Sequence, residues 1–174
     1  GSLIKILAKD ATPYEMSVGQ TIVTDNYSYI TIVAPEGAYA INRAYDSTAK
    51  TYTFTVIDAI ASLTVGGTTT YYSSLNAAVG AAPNSSATPA EVNLLRDSTE
   101  LAINVGTASA RKNVVIDLGD NTLTLNRNYS ALFIVRNGST AVVKNGTVVF
   151  NTVHDNASGF YMYDSATKLT LAIA

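Results

Sequence analysis

Two carboxylates, Asp117 and Asp120, lie three positions apart and are the residues best placed for metal or acid–base chemistry. Carboxylate oxygens bind Ca²⁺, and carboxylate pairs also catalyse glycoside hydrolysis. The competing interpretation is structural, because Asp117 would point outward from a strand and Asp120 would form a turn before Asn121. We favour the structural interpretation and expect no cofactor, with Ca²⁺ at Asp117 and Asp120 as the alternative.

Two asparagines, Asn121 and Asn145, occupy equivalent polar corners between short apolar runs. Their amides could bind sugar hydroxyls. Asparagine also tolerates left-handed backbone, so a purely structural corner role is the other interpretation. We name both as candidate ligand-binding residues.

The sequence contains 11 tyrosines, and three of them lie in two strand-like segments of the first third of the chain. Tyr39, Tyr45 and Tyr52 could form stacking platforms for sugar rings. The same side chain, with its apolar body and polar tip, also suits ordinary strand packing. We name these three as further candidate ligand-binding residues.

The single histidine, His154, precedes Asp155 and could act as a general base if a substrate lay nearby. A lone histidine in such Asn/Thr/Asp surroundings is more often a solvated loop residue, and we favour that interpretation. The absence of Cys excludes disulfides, thiolate metal sites and a Cys nucleophile. We assign no catalytic residue.

The bulk composition describes an ordered chain without a strong charge. The 174 residues are 47% hydrophobic and 14% charged, which allows a buried core. The net charge of −2 does not favour nucleic acid as a partner. The apolar runs are too short to span a membrane, so we expect no membrane span.

Residues 1–62 predict a small, sandwich-like antiparallel β module. Strand-like runs occur at residues 3–8 and 20–24, and residues 28–34 alternate with a period of two. Residues 38–45 and 51–57 are then joined by a five-residue loop, a spacing typical of a hairpin.

The pattern changes after residue 62. Gly66 and Gly67 predict a turn between two β-prone runs. Apolar residues then follow at helical spacing, with Ser73 or Ser74 as N-cap and Pro83 as terminator, and these are Leu75, Ala78, Val79 and Ala82.

Residues 91–174 repeat one pattern, a short β-branched run followed by an Asn/Gly corner and a second apolar run. Residues 113–125 and 141–150 are two versions of it. Their corners predict a period in the low twenties, typical of one coil of a parallel β-helix. Residues 168–174 lack a polar cap, so we expect a fragment, a truncation or an end covered by another subunit. Self-association through this open C-terminal coil is the corresponding expectation.

Residues 63–174 resemble the start of the pectate-lyase-like right-handed β-helix domains of bacterial surface proteins. The resemblance is carried by residues 65–68, 71–79, 92–97 and 114–124, the last reading Val-Val-Ile-Asp-Leu-Gly-Asp-Asn-Thr-Leu-Thr. It implies a short helix that caps the first coil. Lyases of this superfamily use a carboxylate cluster for calcium and an Arg or Lys base, and no residue here matches that motif.

We therefore expect an all-β chain, a short right-handed parallel β-helix with a capping α-helix, preceded by a small antiparallel β module. The expected domains are 1–62 and 63–174. The expected function is a secreted or cell-surface structural and binding module, adhesin-like and non-catalytic, with a glycan or host-surface partner. A polysaccharide lyase, a glycoside hydrolase and a phage tail or fibre component are the alternatives.

Overall fold

The computed structural model describes residues 13–28, 30–127, 131–152 and 158–172. With 54% strand and 5% helix, the chain is all-β, as its composition predicts. Its contacts divide it into two compact units, Gly1–Ala59 and Ile60–Ala174. The domain boundary after residue 62 stays a prediction.

The described residues of the first unit form five strands. They are β1 (Tyr14–Glu15), β2 (Thr21–Thr24), β3 (Ile32–Val33), β4 (Tyr39–Asp46) and β5 (Thr51–Asp58). The order β2-β5-β4 is an antiparallel sheet with the predicted hairpin, whereas β1 pairs with β3 in parallel. The predicted strand over 28–34 is a strand only at Ile32–Val33, and the one at 3–8 lies outside the described residues. A small core contains Met16, Ile22 and Phe54.

The second unit begins with a hairpin of β6 (Ala61–Val65) and β7 (Thr68–Tyr72). Gly66 and Gly67 form its two-residue turn with φ of 58° and 82°, which a type I′ turn requires at both positions. The helix α1 (Leu75–Ala81) follows, and the Ser74 side chain accepts a hydrogen bond from the Ala77 N–H as its N-cap. The predicted turn and helix are both confirmed at these positions.

Ten further strands follow α1 in the part of this unit that the structure describes. They are β8 (Ala90–Leu94), β9 (Ser98–Glu100), β10 (Ile103–Val105), β11 (Asn113–Asp117), β12 (Thr122–Asn126), β13 (Ala131–Val135), β14 (Thr140–Lys144), β15 (Thr147–Asn151), β16 (Ser158–Met162) and β17 (Lys168–Ala172). All pairs among them are parallel.

The chain visits three sheets in a fixed rotation. The strands β8, β11, β14 and β17 are successive neighbours in the first sheet, where β6 joins β8 antiparallel. The second sheet has the order β15-β12-β9 and the third β10-β13-β16. Every third strand therefore returns to the same sheet.

The repeat is longer and less regular than the corner spacing predicts. Val114 lies beside Ala90, 24 residues earlier, whereas Phe133 lies beside Ile103, 30 residues earlier. The strands keep their register while the connecting loops differ in length, because the loops lie on the surface and tolerate insertions.

One apolar core is shared by all three sheets and α1. Side chains alternate across each strand, so one face of every strand points inward. The members with no exposed surface include Val92, Ile116, Leu123, Leu125, Ile103, Phe133, Val143 and, from α1, Leu75. Each such burial contributes roughly 1.5–3 kcal/mol.

The helix α1 covers the first strands of the second and third sheets. The Glu100 carboxylate accepts hydrogen bonds from the backbone N–H of Leu75 (2.5 Å) and of Asn76 (3.0 Å). Asn76 Oδ1 in turn accepts from the Asn104 N–H at 2.8 Å. These contacts satisfy helix N–H groups and protect strand edges that would otherwise be open for pairing.

No helix in the described ranges has the length and apolar character needed to traverse a lipid bilayer.

Gly146 lies in a corner that has no room for a side chain. It has φ of 57°, and a Cβ there would lie 2.5 Å from the Asn121 carbonyl oxygen and 2.6 Å from Leu118 Cβ. We expect Gly146→Ala to lower the free energy of unfolding by ~1–2 kcal/mol for the left-handed backbone and a further ~1–3 kcal/mol for overpacking.

Gly66→Ala is the matched control, because Gly66 has φ of 58° but nothing within 4 Å of an added Cβ. Urea unfolding of both variants separates the two contributions. Equal losses of stability in the two variants would contradict the packing argument.

Candidate functional site

Two of the three candidate tyrosines meet at one end of the β4–β5 hairpin. Tyr45 and Tyr52 are directly opposite each other, with ring centroids 4.7 Å apart and ring planes 38° from parallel. Tyr45 is 53% exposed and Tyr52 is half-buried. Tyr39 instead pairs with Asp58 at the other end of the hairpin, so the structure does not bring it to this site.

Tyr27 and Arg43 complete what we call the tyrosine cluster, consisting of Tyr27, Arg43, Tyr45 and Tyr52. The Tyr27 ring packs edge-on against Tyr52 with centroids 4.5 Å apart. The Arg43 guanidinium carbon lies 4.8 Å from the Tyr27 centroid and 5.8 Å from that of Tyr52. Arg43 and Tyr45 are two residues apart on β4, so their side chains lie on the same face of the strand. Tyr27 instead comes from a segment outside the hairpin.

The corner asparagines use their amide nitrogens within the fold. Asn121 Nδ2 donates to the carbonyl oxygens of Leu94 at 2.9 Å and Leu118 at 3.1 Å. Asn145 has a left-handed backbone, φ 58°, and its Nδ2 donates to Asp117 Oδ1 at 2.8 Å. This arrangement favours the corner role, and sugar binding by either residue stays a prediction.

Asp117 is held in a network at the same corner. Its Oδ1 also accepts from the Gly119 N–H at 2.9 Å, and its Oδ2 lies 3.0 Å from Lys144 Nζ. Partial burial acts to raise its pKa, but hydrogen bonds from Asn145, Gly119 and Lys144, with the charge of Lys144, hold the pKa below its ordinary value. The ammonium group of Lys144 therefore occupies the position beside Asp117 Oδ2 that a bound metal ion would need.

Calcium binding at Asp117 and Asp120 stays a prediction. Ca²⁺ takes six to eight oxygen ligands. Among the residues that the structure describes, no group of three or more His, Cys, Asp or Glu side chains could hold a metal ion. His154 and Asp155, the candidate base and its neighbour, lie outside the described residues.

A polar cleft of about 620 Å³ lies elsewhere, in the second unit. Its walls come from Ser85 and from turns that follow β10, β13 and β16, and its lining is Ser85, Ser109, Arg111, Asn137, Gly138, Asp164 and Ala166. The sequence offers no signal for this site, because only the parallel register brings these distant turns together.

No protein-family model, curated protein or solved structure matches this chain.

The Asp117 network predicts an acid-sensitive contribution to stability. Since the folded-state pKa is below the ordinary value of 3.8, the contribution is complete above about pH 5 and is lost as the pH falls through the folded-state pKa. We expect Asp117→Asn to lower the free energy of unfolding at pH 7 by about 1–2 kcal/mol, and to weaken the further loss at low pH.

Urea unfolding midpoints at pH 7 and pH 3 measure this effect. Asp120→Asn is the matched control, since Asp120 lies in the same turn but outside the contacts of Asp117 with Lys144 and Asn145. The interpretation fails if Asp117→Asn retains the wild-type dependence on pH.

Proposed function

We propose that this chain is a non-catalytic glycan-binding module of a secreted or cell-surface protein, built on a right-handed parallel β-helix of the pectate-lyase-like type. Its partner is a glycan, free or displayed on a host or cell surface. The observation that carries the binding role is the exposed ring of Tyr45 stacked beside Tyr52.

Three features support the β-helix scaffold. Successive strands rotate among three parallel sheets, each returns to the same sheet after 24 to 30 residues, and the inward side chains share one core. In a β-helix each set of three strands is one coil, and neighbouring coils bury each other's apolar faces. The helix α1 then takes the position of the capping helix that the resemblance implies.

The tyrosine cluster has the chemistry for a sugar ring. An exposed aromatic ring offers a flat apolar surface, and the tyrosine hydroxyl and the Arg43 guanidinium offer polar contacts at its border. Tyrosine and arginine are also enriched among the residues that dominate binding energy at protein–protein interfaces. Tyr45 contacts Tyr52, which in turn packs against Tyr27, so the positions of the rings are already restricted and binding costs little further side-chain entropy.

The same cluster favours binding over hydrolysis. Glycosidases place two carboxyl groups about 5–9.5 Å apart on either side of the scissile bond, whereas the four members of the tyrosine cluster include no carboxylate. The lyase or hydrolase alternative would be favoured by turnover of a bound glycan. A phage tail or fibre component would be favoured by a threefold assembly.

Self-association is a second candidate role, and the last strands favour it. Within the described residues, β15, β16 and β17 each pair along one edge only. Val149, Tyr161 and Leu171 on these strands are 41%, 43% and 44% exposed. Unpaired strand edges with exposed apolar side chains are templates for pairing with another chain.

The glycan-binding proposal is tested on a glycan array followed by titration of the best ligand. We expect Tyr45→Ala to weaken binding about tenfold, equivalent to ~1.4 kcal/mol, because the stacking surface is lost. Tyr45→Phe keeps the ring and should retain most of the affinity.

Tyr71→Ala is the control, since Tyr71 is an exposed tyrosine, 36% accessible, in the other unit. Wild-type affinity in Tyr45→Ala would show that the tyrosine cluster is not the binding site. Failure of the wild type to bind any glycan on the array would contradict the glycan-binding function.

Self-association is tested by sedimentation velocity over a hundredfold range of protein concentration. We expect the wild type to form larger species with concentration and Leu171→Lys to shift them towards monomer, because a charge on an edge strand opposes pairing. Val65→Lys is the control, as Val65 is similarly exposed, 41%, on β6. A wild type that stays monomeric throughout would contradict this role.

A further inference from the structure

The turns that wall the polar cleft are fastened to one another. Gly138 N–H donates to both carboxylate oxygens of Asp164, at 3.2 and 3.3 Å. Ser139 Oγ accepts from the Lys112 N–H at 3.0 Å, and the Ser139 carbonyl accepts from the Lys168 N–H at 3.0 Å. The cleft is therefore a preformed site, with its walls fixed by hydrogen bonds between successive turns.

Three polar side chains of the lining are not used by the fold. In the part of the chain that the structure describes, the Arg111 guanidinium, the Asn137 amide and the Ser85 hydroxyl have no hydrogen-bond or ion-pair partner. Together they offer the fork of guanidinium donors, an amide donor and acceptor, and a hydroxyl. These groups can bind a ligand without breaking a contact of the protein.

Asp164 supplies a fixed negative charge to the same cleft. Its Oδ1 accepts from the Ala166 N–H at 3.1 Å and from Thr167 Oγ1 at 2.9 Å, in addition to Gly138. Desolvation acts to raise its pKa, but hydrogen bonds from Thr167, Gly138, Asn137 and Ala166 hold the pKa below its ordinary value. The carboxylate is thus ionised at neutral pH and still able to accept a hydrogen bond from a ligand.

The charges of the cleft select against ions. A phosphate or carboxylate drawn to Arg111 would lie in the same small cleft as the ionised Asp164. A metal ion would be repelled by the positive charge of the Arg111 guanidinium, which lines the same cleft. An apolar ligand would bury these polar groups without partners, which is unfavourable.

We infer that this cleft binds the vicinal hydroxyls of a neutral sugar. Each hydroxyl both donates and accepts, so one diol can accept from Arg111 while donating to Asp164 or to the Asn137 carbonyl oxygen. A volume of about 620 Å³ lies within the usual range for small-molecule sites and has room for one or two sugar rings.

This site is separate from the tyrosine cluster. The cleft lies in the second unit and shares no residue with the cluster, so either site can exist without the other. Variants confined to one unit therefore show which of the two sites binds a sugar and which does not.

The experiment is a ¹H–¹⁵N NMR titration of the whole chain with glucose, galactose, mannose, N-acetylglucosamine, cellobiose and lactose. Sodium phosphate and sodium glucuronate serve as charged probes. We expect saturable shifts at the Gly138 and Ala166 amides with at least one neutral sugar, and weaker responses there to both anions.

Two variants remove side-chain groups that would contact the sugar while preserving the fold. Arg111→Met keeps the aliphatic stem of an exposed side chain, and Asn137→Gly suits the left-handed backbone at this position, φ 57°. Each should weaken binding of the responding sugar roughly tenfold by removing hydrogen bonds to it. Lys50→Gly, at another left-handed position with φ 57° in the other unit, is the matched control and should bind as the wild type does.

The inference is overturned if no neutral sugar of the panel shifts the cleft amides, or if Arg111→Met and Asn137→Gly bind as the wild type does. A stronger response to phosphate or glucuronate than to every neutral sugar would identify an anion site instead. Sugar binding that Tyr45→Ala abolishes, with no change at Gly138 or Ala166, would leave the tyrosine cluster standing and overturn this site.

Discussion

The second unit depends on one constraint, which is that its short strands can bury their apolar side chains only together. A strand of three to five residues offers two or three inward side chains, too few to offset the conformational entropy of ordering it. Parallel pairing places Phe133 beside Phe160, with ring centroids 5.4 Å apart, and Phe150 packs edge-on against Phe160 at 4.8 Å. Because three sheets and α1 contribute to one core, no sheet is stable without the others.

Because the core is apolar, the polar side chains lie mainly in the turns between sheets. Two kinds of turn differ in whether these side chains are hydrogen-bonded within the fold. Where the first sheet leads into the second, Asn121 and Asn145 satisfy backbone or carboxylate oxygens, and Asp117 is paired with Lys144. Where the third sheet leads into the first, backbone N–H groups satisfy Asp164, which leaves Arg111 and Asn137 available. The first kind of turn uses these polar groups within the fold, and the second retains unused hydrogen-bonding groups.

Local signals in the sequence predicted local structure well. The Gly66-Gly67 turn, the N-cap at Ser74 and the Asn/Gly corners follow from backbone conformations that few residues adopt. Burial was harder to predict, since Leu101 lies in an apolar run yet is 73% exposed. The cleft could not be predicted, because the loops differ in length and the sequence therefore does not show which turns the parallel register makes neighbours. A pattern of alternation also gives the face of a strand but not the distance along it, so it could not show that Tyr39 and Tyr45 lie at opposite ends of β4.

Lys112 shows how closely the scaffold and the cleft are joined. Its ammonium group, on a residue only 7% exposed, donates to the carbonyl oxygens of Gly80 (2.9 Å) and Ala82 at the end of α1. Burial lowers the pKa of this lysine, and the carbonyl groups at a helix C-terminus offset part of that cost. Its backbone N–H meanwhile binds Ser139, and Gly106 lies so close to Ser139 that a Cβ would collide with it. One buried cation thus ties α1 to the turns of the cleft, and the preceding residue, Arg111, stays free to meet a ligand.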